Sequence, residues 1–186
     1  MNLTIEIFQV LDRYNIHMSI YHIPGTYNGE ADHLSRHRRL PEWHLLPKIT
    51  NIVFKKWGTP RIDLFASNLA HVVPTYCTLD RNDTRASMFD ALASNWNFDL
   101  AWVFPPPFMI PQVLHHLNTA QGLYLIVAPR WKQVYWRPDL KNRAISPPFT
   151  IMNPHQVLVD VTTGLPPPHA SQMTLEIWRC AGGTNS

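Results

Sequence analysis

AWVFPPPFMIPQVLHHLNTAQGLYLIVA, residues 101–128, decides the fold. Ala101 to Phe104 is a short apolar run of strand length. Pro105, Pro106 and Pro107 stop it, because proline has no amide hydrogen to give a ladder. Ile110 to Ala120 repeats apolar residues at helical spacing, with Pro111 in the first turn, where a missing N–H costs nothing. Gly122 to Ala128 is the clearest buried strand of the chain. Strand, helix, strand in this order predicts a parallel, right-handed crossover, and therefore an α/β layered domain.

Working outward, Pro47 fits the first turn of a helix whose apolar face is Ile49, Ile52, Val53 and Trp57, with Gly58 as its C-terminal cap. Arg61 to Ala66 reads as a strand, and residues 68–98 are mixed, with polar turns around Asp80 to Thr84. Phe149 to Met152, Gln156 to Val161 and Leu175 to Cys180 are further strand candidates, some of them antiparallel edge strands. Before Pro41 the pattern changes. A helical stripe over residues 3–14 leads into alternating apolar residues from Ile16 to Ile23, a Pro24-Gly25 turn and a short helix from Glu30 to His37. The basic run Arg36 to Arg39 follows, so the reading divides the chain into units 1–40 and 41–186.

Composition limits the classes. The chain has 186 residues, 45% hydrophobic and only 16% charged, which excludes a disordered charged tail as the main content. Seventeen prolines against seven glycines point to many rigid turns. No apolar run approaches the roughly 18 residues of a membrane span, so no membrane partner is expected. A net charge of +3 is compatible with nucleic acid. Cys77 and Cys180 form no ligand-spaced pair, which suits a reduced, intracellular chain.

YHIPGTYNGEADHLSR, residues 21–36, resembles the last strand and last helix of a retroelement ribonuclease H domain, through His22, Gly25, Asn28, Asp32 and Leu34. The resemblance implies two-metal phosphodiester hydrolysis in a complete domain, with magnesium held by carboxylates. Asp32 would be the last metal carboxylate and His22 the residue assisting product or proton handling. The other family carboxylates precede this segment, and one carboxylate cannot hold two metal ions. No ribonuclease activity is therefore expected from these residues alone.

The remainder is similar to the region that follows ribonuclease H in DIRS-type retrotransposons, a Dam-like adenine-N6 methyltransferase domain. The matching pieces are GTPRIDLFASNL, MFDALASNW, WVFPPPFMIPQVLHHL, LYLIVAPRWKQVYW and LEIWRCAGG, in the family's order. The implied fold is a partial ribonuclease H-like strand–helix unit followed by a Rossmann-like methyltransferase-type α/β domain. The implied partners are DNA or RNA and the rest of a polyprotein carrying reverse transcriptase and a tyrosine recombinase. The implied location is nuclear.

The resemblance also assigns a cofactor site. In the D-x-F-x-G-x-G pattern that hugs S-adenosylmethionine, Asp63 and Phe65 match, but Ser67 and Leu69 stand where glycines allow close backbone approach. Leu69 is expected to obstruct that turn. Asp63 either touches a ligand or is a polar strand end at a pocket mouth. In the [DN]-P-P-[YF] pattern the first residue accepts hydrogen bonds from the adenine amino group and the aromatic stacks on a flipped base. Here that first position is Phe104 or Pro105, whose side chains accept nothing.

Two basic segments remain. Arg130-Trp131-Lys132-Gln133-Val134-Tyr135-Trp136-Arg137 interleaves cations with aromatics, as phosphate neutralisation and base stacking require. The other reading of Trp131 and Trp136 is core packing with the cations facing water. Arg36 to Arg39, with Arg38 and Arg39 as the candidate contacts, form the second patch, or a solvated linker. The function expected is binding or positioning of nucleic acid without catalysis. The rivals are an active S-adenosylmethionine-dependent DNA adenine-N6 methyltransferase and a ligand-free interaction module.

Overall fold

The computed structural model describes residues 41–183, together with Leu11 and Arg13. The chain divides into two units between Leu40 and Pro41. The readings made on His22, Asp32, Arg38 and Arg39 lie outside the described residues.

The second unit is a mixed α/β fold. Its strands are β1 (Trp43–Leu45), β2 (Ile62–Asp63), β3 (Cys77–Thr78), β4 (Met88–Phe89), β5 (Asn97–Val103), β6 (Gln121–Pro129), β7 (Phe149–Met152), β8 (Leu158–Asp160) and β9 (Thr174–Ala181). Its helices are α1 (Pro47–Trp57), α2 (Ile110–Leu117) and α3 (Arg137–Arg143). The main sheet has five strands in the order β2-β5-β6-β9-β7. β2, β5 and β6 are parallel. β9 is reversed, and β7 pairs antiparallel with it, so β7 again points the same way as β6. β3 and β4 form a parallel pair. A parallel bridge from Asp63 to Tyr76 lays this pair beside β2.

Period-two alternation splits the core into two layers. Ala101 and Val103 of β5, Tyr124, Ile126 and Ala128 of β6, and Trp178 and Cys180 of β9 face Val113, Leu114 and Leu117 of α2 and Leu140 of α3. Their neighbours in sequence, Leu100, Trp102, Leu125, Val127, Leu175 and Ile177, face Val53 of α1 and Leu45, Val157 and Leu158 around the small β1–β8 sheet. A sheet covered on both faces needs near-continuous apolar strands, which is why GLYLIVA contains no polar alternation.

α1 starts at Pro47, which has no N–H to leave unpaired, and ends at Gly58, whose φ of 100° and N–H bond to the Phe54 carbonyl at 2.8 Å close the last turn. Its buried stripe is Ile49, Val53, Phe54 and Trp57. Ile52, expected on that stripe, is instead half exposed, because it lies one residue off the contact line. The strand expected over Arg61 to Ala66 shrinks to Ile62–Asp63. The chain leaves the sheet at Leu64, where the Asp63 side chain captures the following loop. The Phe149–Met152 strand has the expected limits, and β9 exceeds its expected limits by one residue at each end.

One close approach inside the sheet was hidden in the sequence. β5 and β6 shift register between Phe98 and Ala101, and Gly122 sits opposite that shift at φ 97°. A Cβ there would stand 1.8 Å from the Phe98 carbonyl oxygen.

Candidate nucleic-acid interface and the carboxyl edge of the sheet

The parallel strands β2 to β6, with β7, all end at one edge of the fold. Such an edge is where open α/β sheets place their ligands. Every site residue assigned within the described unit lies at or just beyond a strand end on this edge.

Asp63 closes β2. It is only 3% exposed, and its two carboxylate oxygens accept the N–H of Phe65 at 3.4 Å and of Val72 at 3.1 Å. The carboxylate is thus spent on holding the 64–72 loop. Phe65 packs edge-on against Trp96, with ring centroids 6.4 Å apart. Neither residue presents a free group to a ligand. The following turn also differs from expectation. Ser67 and Ala70 exchange backbone hydrogen bonds, and the Ser67 hydroxyl accepts from the N–H groups of Leu69 and Ala70. Ser67 and Leu69 have ordinary negative φ values, and Leu69 points to solvent. Leu69 therefore does not obstruct a glycine-type turn; a different, self-satisfied turn occupies its place.

Burial pushes the Asp63 carboxyl up to about 7, and the two backbone donors oppose that rise. The sign follows from linkage. A carboxyl raised in the fold stabilises while protonated, fully so below its ordinary range near 3.8, and loses this as pH climbs to about 7. The Asp63 contribution lost over that interval is on the order of 4 kcal/mol. Asp63→Asn keeps an acceptor for Val72 and removes the titration. Denaturant midpoints of the wild type should therefore fall relative to Asp63→Asn as pH rises. Parallel pH profiles would contradict this assignment.

β5 ends at Val103 and runs into the proline segment. Phe104 packs partly into the second core layer, and Pro105 is buried. A short 3-10 turn over Pro107–Met109, closed by the Met109 N–H on the Pro106 carbonyl, then starts α2. Phe108 stands 75% exposed on this turn. No side-chain acceptor occupies the position where a methyltransferase would hold an adenine amino group.

The 130–137 segment leaves β6 next door. Its ends are pinned. The Arg130 N–H donates to the Thr174 carbonyl at 2.8 Å, and Trp136 is buried in the first core layer. Between them Trp131, Lys132 and Tyr135 face solvent, Tyr135 at 80% exposure. Gln133, at φ 61°, is one of four non-glycine residues with positive φ among those described. The segment therefore divides. Trp136, expected to stack on bases, is a core residue, because its ring fills the space between α3 and the sheet. Arg137, expected on phosphates, donates from Nη2 to Oε1 of buried Glu176 at 2.8 Å and brings Nη1 within 2.7 Å of Oε2 as an ion contact, with its guanidinium 5.5 Å above Trp178. Its charge is neutralised inside the protein. Arg130 reaches the same carboxylate at 3.5 Å but keeps more than half its side chain in water. Arg130, Trp131, Lys132 and Tyr135 remain as an exposed group.

Glu176 and α3 escaped the sequence reading. A single carboxylate between Leu175 and Ile177, in a strand apolar on both faces, was the available signal for a buried ion pair. Arg143 is also buried, held by Asp139, Asn118 and the Gly183 carbonyl, so it forms no part of the patch. Among the described residues no group of three or more His, Cys, Asp or Glu could hold a metal ion, and no helix is long and apolar enough to cross a membrane. Compared with family models, with curated proteins and with solved structures, the chain matches none.

Proposed function

We propose that the unit from Pro41 onward is a methyltransferase-type scaffold without methyl-transfer chemistry, which binds or positions nucleic acid within a DIRS-type retrotransposon polyprotein. The observation that carries this reading is the exposed group Arg130, Trp131, Lys132 and Tyr135, displayed at the carboxyl edge of the sheet. Cations there neutralise phosphates and flat rings receive bases. Two local facts support the absence of chemistry in this reading. Asp63 is consumed by its own loop, and the acceptor position holds Phe104 or Pro105. Nuclear residence and the reverse transcriptase and recombinase partners belong to the same proposal.

One observation favours the rival, an active adenine-N6 methyltransferase: the parallel run β4-β3-β2-β5-β6 with reversed β9 beyond it suits a cofactor-binding α/β sheet. The two are separated by titrating S-adenosylmethionine into the full chain by calorimetry and by assaying labelled methyl transfer to adenine in DNA. No heat at millimolar ligand and no incorporation are expected. Binding lost in Asp63→Asn, together with incorporation, would restore the enzyme and overturn the proposal.

A further inference from the structure

The carboxyl edge is unusual in what it exposes. Large apolar side chains stand in solvent just past the ends of neighbouring parallel strands: Leu69 after β2, Leu79 after β3, Phe108 after β5, and Trp131 and Tyr135 after β6. Taken in sheet order, β3, β2, β5 and β6, the segments after these strands make a row of exposed apolar residues. A soluble fold rarely leaves such a row uncovered without a partner.

The row is charged unevenly. At its β6 end stand Arg130 and Lys132. At its far end, beyond β2, Asp80 follows β3 and Asp90 follows β4, alongside the exposed Arg81 and Arg85. A polyanion is therefore attracted to the half built by the β5 and β6 loops and gains little beyond it.

The backbone beneath the aromatic side chains in that half is constrained. Phe108 rides on a turn fixed by Pro106 and Pro107. Trp131 and Tyr135 flank the left-handed Gln133, on a loop tied down by Arg130 and Trp136. β5 and β6 are adjacent, Val103 pairing with Ile126, and β6 runs on to Pro129 before its loop begins. A backbone already constrained loses less freedom on binding. What flat rings recognise is the face of an unpaired base, and a duplex hides those faces in its stack.

We infer that this half of the edge binds single-stranded nucleic acid, with bases stacked on Phe108, Trp131 and Tyr135 and phosphates at Arg130 and Lys132. The inference rests on the nucleic-acid reading above and adds the substrate class: a strand with unpaired bases, as arises during copying of an element, in place of an intact duplex.

The test is fluorescence anisotropy on the full chain. The probes are a labelled thymidine homo-oligomer of roughly 20 nucleotides, longer than the ~4–16 that a single-strand-binding fold covers, and a duplex of equal length. Single-strand binding should exceed duplex binding at least tenfold. Tyr135→Ala and Phe108→Ala, both at well-exposed positions, should each weaken single-strand binding by about fivefold to a hundredfold and leave duplex binding unchanged. Equal binding of both probes, unaffected by these two variants, overturns the inference while the nucleic-acid reading stands. No binding of either probe overturns both. Self-association of the chain that Tyr135→Ala abolishes, without oligonucleotide binding, assigns the row to a protein contact and also overturns it.

Discussion

Arg137→Met is expected to destabilise the protein by about 3–5 kcal/mol, because it strands Glu176 as a buried anion. Glu176 lies on β9 with its side chain only 3% exposed, and Arg137, at 2.7 and 2.8 Å, is its nearest cation. Arg130 compensates weakly: it sits 3.5 Å away with 59% of its side chain in water, and exposed pairs are worth about 0–1 kcal/mol. For a unit of this size the melting temperature should drop by roughly 10 °C. The double variant Arg137→Met with Glu176→Leu should recover most of the loss, since a packed apolar pair needs no ionic partner. Calorimetric melting of the two variants and the wild type decides it. A single variant within about 1 kcal/mol of wild type would mean that water, not Arg137, solvates Glu176.

Gly122→Ala is expected to cost about 3 kcal/mol or more, although it changes one methyl group. The residue holds a φ of 97°, which L side chains rarely adopt, and the new Cβ would collide with the Phe98 carbonyl. The obstacle is backbone in the central β5–β6 pair, so no rotamer change relieves it. Gly164→Ala is the contrast. Its φ is 69°, but nothing lies within 4 Å of its Cβ, so only the conformational strain remains, on the order of 1 kcal/mol. Equal losses at the two positions would show that the β5–β6 register shift relaxes freely.

The middle of this fold was readable because two different periods meet there. AWVF and GLYLIVA are uninterrupted apolar runs, and IPQVLHHL carries a helical stripe, so strand–helix–strand followed without tertiary information. The small strands β1, β3 and β4 were not readable. Each is two or three residues long and owes its conformation to a neighbour distant in the chain, as Trp43 does to Asp160. α3 was hidden by the aromatic and basic residues before it, which suggested a surface motif.

The candidate segment was legible in the sequence, but the burial of its individual residues was not. The alternation of cations and aromatics from Arg130 to Arg137 is compatible with two outcomes, and the structure realises both. Trp131, Lys132 and Tyr135 face out, while Trp136 and Arg137 turn in. The inward turn of Arg137 depends on Glu176, some 40 residues away in sequence, and no local pattern encodes that partner. The Asp63 loop is a similar case. Asp63 and Phe65 fit the letters of a cofactor pattern, but the pairing of both carboxylate oxygens with the loop backbone depends on how residues 64–72 fold.

In the function proposed above, the exposed cations at the carboxyl edge bind nucleic acid. The most direct measurement is the affinity of the full chain for a single-stranded oligonucleotide across a salt series, for wild type and for Arg130→Gln with Lys132→Gln. Binding should weaken linearly with log salt, and losing two phosphate contacts should flatten the slope by about 1.4. Absence of salt-dependent binding, or the same slope in the double variant, would contradict the account.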